Sequence, residues 1–275
     1  MIVDSHQHLW RIGQNGHEWP TSDLPAIHRD FVTADLVAEA GAAGVDATVL
    51  VQSQPSDADT DWMLDIADGS PLIQGVVGWA DLAAPDAPQR LATLAKRPRL
   101  KGIRPMLQGL ADDQWILSDA VRPGLEALLK LGLRFDALVF TRHLAAIDRL
   151  AKTFPDLPII IDHCAKPPIA SDDLQGWREA IARVADNANV TCKLSGLFTE
   201  MRAGQNPEDA TPVADHVLSV FGAERLMWGS DWPVVLLRRP YGAWLDWTKA
   251  WLGGKTADIH TAVLGKTARR VYALP

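Results

Sequence analysis

The segment DSHQH at residues 4–8 places two histidines, His6 and His8, near the amino terminus with one residue between them. The apolar pair before this segment favours an extended chain, in which alternate side chains point to the same face. His6 and His8 therefore share a face, and Asp4 is predicted to lie on it as well. Two imidazoles and a carboxylate can hold a divalent metal ion or bind a substrate. The alternative is a pair of surface histidines at an edge strand, since this spacing also occurs by chance.

Eight short apolar runs recur along the chain, and most are separated by stretches with a helical pattern. Some of these stretches end at a glycine, as at Gly44 and Gly132, or before a proline, as at Pro155. Such alternation predicts an α/β fold, a (β/α)8 TIM barrel forming one domain over residues 1–275, with an open doubly wound sheet as the alternative. The predicted strands are 1–8, 47–52, 73–79, 100–105, 134–140, 158–163, 190–196 and 225–231.

In a TIM barrel the active site lies at the carboxyl ends of the strands. Polar residues on the apolar runs are therefore expected to meet at one mouth, beneath a loop formed by residues 11–30. Burying so many polar groups without a ligand or an ion would be unfavourable. Gln52, Ser195 and Asp136, all on predicted strands, could equally be structural. The residues predicted to converge are His6, His8, Gln52, Trp79, Arg104, His163, Lys193 and Asp231.

Composition limits the classes of function. The 275 residues are 47% apolar and 22% charged, a globular balance, and no apolar stretch reaches the roughly 18 residues of a membrane span. A net charge of -7 without a Lys/Arg cluster disfavours nucleic acid and favours a small polar substrate. Cys164 and Cys192 are too few for a disulfide framework and no secretory signal is visible, which predicts a cytoplasmic location. The oligomeric state stays open, a homo-oligomer included.

Motifs along the whole chain resemble the amidohydrolase superfamily. Within it, the chain is most similar to the branch of sugar-lactone hydrolases that includes L-fuconolactonases and L-rhamnonolactonases. The spaced histidines of the first strand and the aspartate of the last are specific together and weak alone. The resemblance is carried by DSHQHLW at 4–10, LVQ at 50–52, KGIRP at 101–105, IDHCAKP at 161–167, KLSG at 193–196, MWGSDWPV at 227–234 and the terminal helix GKTARRVYAL.

This resemblance implies a hydrolase in which Asp231 handles the proton of an attacking water and His6 and His8 lie at a divalent metal position. Binuclear members of the superfamily have a bridging lysine on strand 4 and a histidine on strand 5. This chain instead has Arg104 on strand 4 and no histidine in RFDALVF. One zinc ion held by His6, His8 and Asp231 is therefore expected, with a position left for water. Activity without a metal is the alternative, because some lactonases of this branch work that way.

The implied substrate is a sugar-derived lactone, such as L-fucono- or L-rhamnonolactone. Its hydrolysis needs a base for the water and a positive or donating group at the carbonyl oxygen. Asp231 is the predicted base and later the acid, while Arg104, His163 or Lys193 would assist the metal in polarising the carbonyl. Arg104 could instead bind a substrate carboxylate. The residues predicted to contact substrate are Gln52, Trp79, Arg104, His28, Lys166 and Trp232.

Other functions are less well supported by the sequence. A serine hydrolase is disfavoured because GxSxG is absent, and the glycine fingerprints of nucleotide binding are absent too. A metal-dependent decarboxylase on the same scaffold remains an alternative, against which the missing strand-5 histidine counts. A catalytically silent sugar-acid binder is the third hypothesis, although Asp231 and the strand-1 pair are intact.

Overall fold

The protein is a barrel of eight parallel strands that follow one another in sequence order. The computed structural model describes residues 1–171 and 173–275. Each strand pairs with the next one along the chain, so the predicted TIM barrel is confirmed. The strands are β1 Val3–Gln7, β2 Ala47–Val51, β3 Ile73–Gly78, β4 Leu100–Ile103, β5 Arg134–Ala137, β6 Ile159–Ile161, β7 Val190–Leu194 and β8 Leu226–Trp228.

Contacts between the first and last strands close the barrel. A parallel bridge joins Gln7 to Trp232, just beyond β8. The backbone N–H of His8 donates to the carbonyl of Trp232 over 2.7 Å, and the N–H of Asp231 donates to the carbonyl of His6 over 2.8 Å. The first strand and the segment directly after the last strand therefore meet at the mouth of the barrel.

Helices surround the strands and end largely where the sequence predicts. Gly44 and Gly132 end the first and fourth helices with φ angles of 71° and 68°, a left-handed conformation that glycine adopts without strain. The α-helices are α1 Thr33–Ala43, α2 Asp57–Asp68, α3 Ala87–Leu94, α4 Arg122–Leu131, α5 Leu144–Thr153, α6 Gln175–Ala185, α7 Thr211–Phe221, α8 Tyr241–Leu252, α9 Ala257–Thr261 and α10 Thr267–Val271.

The strands separate two apolar regions. Val49 and Val51 belong to a small cluster inside the barrel, whereas Leu50 between them belongs to the larger core against the helices. Tyr272, directly after α10, joins the interior cluster and is fully buried. Among the described residues, no helix combines the length and the apolar character that a bilayer crossing requires.

Candidate active site

Four side chains from three parts of the sequence converge at the carboxyl ends of the strands. The Nε2 atoms of His6 and His8 lie 3.2 Å apart. Oδ1 of Asp231 lies 3.8 Å from Nε2 of His6 and 3.4 Å from Nε2 of His8. His163 also approaches, with its Nε2 3.8 Å from the same carboxylate oxygen. The structure thus brings together the three predicted metal ligands and one further imidazole.

The backbone fixes the position of Asp231. Its φ angle is 56°, in the left-handed region that residues other than glycine rarely adopt. The hydrogen bond from its N–H to the carbonyl of His6 holds this conformation and places the carboxylate beside the strand-1 histidines. Such an unfavourable conformation is retained where surrounding structure fixes it, and it is frequent at functional sites.

The donor set fits a tetrahedral zinc ion. Ligands at zinc distances of 2.0–2.1 Å in a tetrahedron lie about 3.3 to 3.4 Å apart. The separations among His6, His8 and Asp231 are 3.2, 3.4 and 3.8 Å; the first two are close to such an edge and the third is longer. Burial lowers the pKa of His6 well below its usual value. Burial alone would raise the pKa of Asp231, but the neighbouring His163 and His8 hold it below its usual range. Neutral imidazoles and an ionised carboxylate are the forms that bind metal ions.

His163 lies in an unusual turn after β6. Residues 163–166 all have positive φ angles between 51° and 59°. Nδ1 of His163 is 2.8 Å from the Ser195 hydroxyl, and both side chains are buried. Burial lowers the pKa of His163 to about 4, so its imidazole is neutral at pH 7.

Arg104 lines the site but its guanidinium is largely engaged. One amino group donates to Oδ2 of Asp162 over 3.0 Å and lies 3.3 Å from Nε2 of His6. The other donates to the backbone carbonyl of Gln52. Gln52 in turn donates from its side-chain amide to the backbone carbonyl of Arg104 over 2.8 Å. Gln52 is fully buried and holds the arginine in place; it is not among the residues that line the cavity.

Lys193 does not reach the cavity, contrary to its predicted role at the lactone carbonyl. Its ammonium lies 2.6 Å from Oδ2 of Asp136, 3.0 Å from Oδ1 of Asp162 and 3.1 Å from Nδ1 of His6. All four side chains are fully buried. Charge from Lys193 holds the pKa of Asp162 well below its usual value, against the effect of burial. The lysine therefore neutralises carboxylates beneath His6, and the hydroxyl of Tyr272 donates to Asp136 from below.

Asp4 also departs from expectation, because its carboxylate faces away from the histidine cluster. It accepts hydrogen bonds from the backbone and hydroxyl of Ser230 over 2.8 and 2.6 Å and from Tyr241 over 3.0 Å. The pairing of β1 with β2 is irregular between Asp4 and Gln7, which breaks the simple alternation of side chains. Asp4 therefore joins β1 to the turn after β8 and to α8.

A cavity of about 280 Å³ opens above the cluster. The loop 11–30 reaches it as predicted, through Trp19. Of the predicted site residues, His8, Arg104, His163, Lys166 and Asp231 line the cavity, while His6 lies beneath them. The other lining residues are Trp19, Ser53, Met106, Gln108, Leu138 and Val234, none of which the sequence analysis singled out.

Besides Gln52, three more of the predicted substrate contacts lie outside the cavity lining. Trp79 and His28 are half-buried, and neither is among the residues that line this cavity. Trp232 is buried against Phe31, with ring centroids 5.2 Å apart, and serves packing instead. Lys166 does line the cavity, with its ammonium 5.2 Å from the centre of the Phe140 ring.

The sequence profile of the amidohydrolase family matches residues 3–274. The chain belongs to the amidohydrolase family. This amidohydrolase is 47% identical over 281 residues to an L-fucono-1,5-lactonase of Burkholderia ambifaria, covering 99% of this chain and 95% of that one. It is 34% identical to an L-fucono-1,5-lactonase of Burkholderia multivorans, over 99% of this chain and 96% of the other.

Solved structures of related proteins support the same fold. An amidohydrolase from Burkholderia multivorans with bound zinc is 33% identical, with a TM-score of 0.95 and full coverage of both chains. A 5-carboxyvanillate decarboxylase from Sphingomonas paucimobilis is 15% identical with a TM-score of 0.70, a likeness that shows the fold alone. Within the described residues, one ligand atom from each of His6, His163 and Asp231 lies within 4.8 Å of the other two, and this cluster agrees with a divalent metal site in an amidohydrolase.

Proposed function

We propose that this amidohydrolase opens L-fucono-1,5-lactone or a closely similar sugar lactone by attack of water on the lactone carbonyl. The observation that most directly supports this proposal is the position of the Asp231 carboxylate, which lies among three imidazoles at the floor of the cavity. The 47% identity to an L-fucono-1,5-lactonase over nearly the whole chain supports this substrate class. A cavity with both polar and apolar walls suits a sugar ring, which has hydroxyls and C–H faces.

The proposed metal is one zinc ion held by His6, His8 and Asp231. When bound, zinc would act as a Lewis acid that stabilises negative charge on the carbonyl oxygen. Support comes from the ligand spacing and from the zinc-bound relative. The Nδ1–H of His8 donates to the carbonyl of Val51 over 2.8 Å, which leaves its Nε2 lone pair for a metal.

The residues of the chain supply the proton transfers in this proposal. Asp231 accepts a proton as the water oxygen bonds to the carbonyl carbon. The bond from that carbon to the ring oxygen then breaks, and Asp231 returns the proton to the leaving hydroxyl. The products are a hydroxy acid, ionised at neutral pH, and one released proton per turnover. The positive charges of Arg104 and Lys166, which line the cavity, favour the developing anion.

A decarboxylase is the weaker second hypothesis. The 5-carboxyvanillate decarboxylase with 15% identity shares the barrel, a likeness that extends to the fold and not to the activity. Strand β5, Arg134–Ala137, carries no histidine.

We place the enzyme in the cytoplasm, where its two buried, unpaired cysteines would stay reduced.

The experiment is a pH-indicator assay of the purified protein against a panel of aldonolactones. We expect proton release above the spontaneous rate for L-fucono-1,5-lactone, and loss of that excess in the Asp231→Asn protein. The control is Asp246→Asn, which changes an exposed aspartate of α8. If wild-type protein opens none of the lactones but releases carbon dioxide from aromatic acids, the decarboxylase hypothesis replaces the lactonase one.

A further inference from the structure

Ser195 and Gly196, directly after β7, contact the imidazole ring of His163. Oγ of Ser195 lies 2.8 Å from Nδ1 of His163, and Ser195 is fully buried. Gly196 has a φ angle of 66°, and a Cβ atom there would lie 2.8 Å from Nδ1 and 2.9 Å from Cγ of His163. No real side chain sits that close, so the imidazole occupies the space that the missing Cβ leaves.

The serine hydroxyl determines which ring nitrogen carries the proton. This is the one hydrogen bond of the Ser195 side chain within the described residues. If Nδ1 carried the proton and donated to the hydroxyl, the buried hydroxyl proton would have no acceptor, which is unfavourable. If the hydroxyl donates to Nδ1, both groups are satisfied. A neutral His163 then carries its proton on Nε2.

His8 has the opposite tautomer. Its Nδ1 lies 2.8 Å from the backbone carbonyl of Val51, a group that can only accept. Nε2 of His8 is therefore a lone-pair donor suited to a metal ion, whereas Nε2–H of His163 is a hydrogen-bond donor. The separation of 3.8 Å from Oδ1 of Asp231 is too long for a hydrogen bond, so this N–H is left for a ligand in the cavity.

We propose that Ser195 and Gly196 are positioning residues that hold His163 with its proton on Nε2, where it donates to the lactone carbonyl oxygen and does not bind the metal, although it lies within ligand distance of His6 and Asp231. The identity of the acceptor rests on the proposed function. The tautomer does not, because it follows from the hydrogen bonds of the protein alone.

The first measurement is a nitrogen NMR spectrum of wild-type protein labelled at histidine, at pH 7. We expect His163 to show an unprotonated Nδ1 and a protonated Nε2, with the signals assigned by their absence from a His163→Gln protein. A protonated Nδ1, or an Nε2 bound to added zinc, would overturn the proposal. This NMR measurement requires neither lactone turnover nor a folded Ser195 variant. Its outcome is therefore independent of whether the lactonase hypothesis holds.

The second measurement uses Ser195→Ala, with Ser219→Ala on the exposed face of α7 as the matched control. Without the Ser195 hydroxyl, no hydrogen bond keeps the proton of His163 on Nε2. We therefore expect kcat to fall at least about ten-fold while KM changes less than about three-fold. Zinc content should match the wild type. A parallel loss of zinc would make His163 a ligand, and an unchanged kcat would leave Ser195 without a positioning role; either result contradicts the proposal.

Discussion

The backbone N–H of Asp231 donates a hydrogen bond of 2.8 Å to the carbonyl oxygen of His6, and this contact joins the end of the barrel to its beginning at the level of the site. The carboxylate of Asp231 takes no part in it. Barrel closure and side-chain chemistry are therefore separable at this residue.

Asp231→Asn should fold as the wild type does while losing lactone turnover by about 10² to 10⁴, the usual contribution of a general base. Asparagine tolerates the left-handed backbone better than most residues and keeps the same N–H. The test compares thermal midpoints with kcat for the wild type and the Asp246→Asn control. Turnover near that of the wild type would remove Asp231 from the mechanism.

Replacing both His6 and His8 by alanine should abolish metal binding, because Asp231 alone cannot hold the ion. Elemental analysis should find about one zinc per wild-type chain, none in the double variant, and unchanged zinc in His28→Ala, whose side chain lies outside the set that lines the cavity. Full activity in protein shown to be free of metal would contradict the zinc hypothesis and leave the lactonase hypothesis standing.

Lys193→Met should destabilise the fold by about 3 to 5 kcal/mol, because it leaves Asp136 buried without a cation and leaves Asp162 with Arg104 alone. Urea unfolding measures the change. Adding Asp136→Asn to Lys193→Met removes this uncompensated charge and should recover part of the loss. A single variant as stable as the wild type would show that the lysine does not neutralise these carboxylates.

Gln108→Leu should weaken recognition of lactones that carry the full set of hydroxyls. Oε1 of Gln108 is buried without a partner in the described structure, and the residue lines the cavity, so a substrate hydroxyl can satisfy it. We expect kcat/KM to fall about ten-fold for such a lactone and less for an analogue that lacks one hydroxyl. The exposed Gln89→Leu serves as control. An equal loss on every lactone would point to general damage of the site.

Asp59 should give the protein a pH-dependent stability. Burial raises its pKa to about 7 from 3.8, so between these values the folded state binds more protons than the unfolded state. The stabilisation that this proton contributes is fully present below pH 3.8. It decreases as the pH rises from 3.8 through 7, by up to about 1.4 kcal/mol per pH unit. Unfolding free energies of wild type and Asp59→Asn between pH 5 and about pH 8 measure the difference; parallel curves would contradict the assignment.

The strands and their order were predictable because apolar runs bounded by polar residues repeat along the whole sequence. Strand ends differ by one to three residues in most cases, as at β5, which ends at Ala137 and not at residue 140. Helix α8, Tyr241–Leu252, was not predicted, although its tryptophans at 244, 247 and 251 have helical spacing. Apolar tryptophans on an outer helix are easily taken for loop or site residues.

The candidate site was predictable only where strand position fixes a side chain. His6, His8, His163 and Asp231 converge because closure of the barrel follows from strand count. Lys193 was misplaced because a short strand has both deep and shallow positions, and sequence does not give the depth. Met106 and Gln108 come from the irregular segment after β4, whose path depends on contacts such as the one from Gln52 to the Met106 sulfur over 3.1 Å.

The bonded pair Tyr272 and Asp136 has a consequence for the order of events during synthesis. Translation delivers His6 and His8 first, then Asp136, and the turn with Asp231 and the Tyr272 hydroxyl near the end. Until the last strand and α10 have left the ribosome, the nascent chain has two imidazoles of the proposed metal site without their carboxylate and an open sheet edge at β1. The site and the closed barrel can therefore form only late in synthesis, after α10 has emerged.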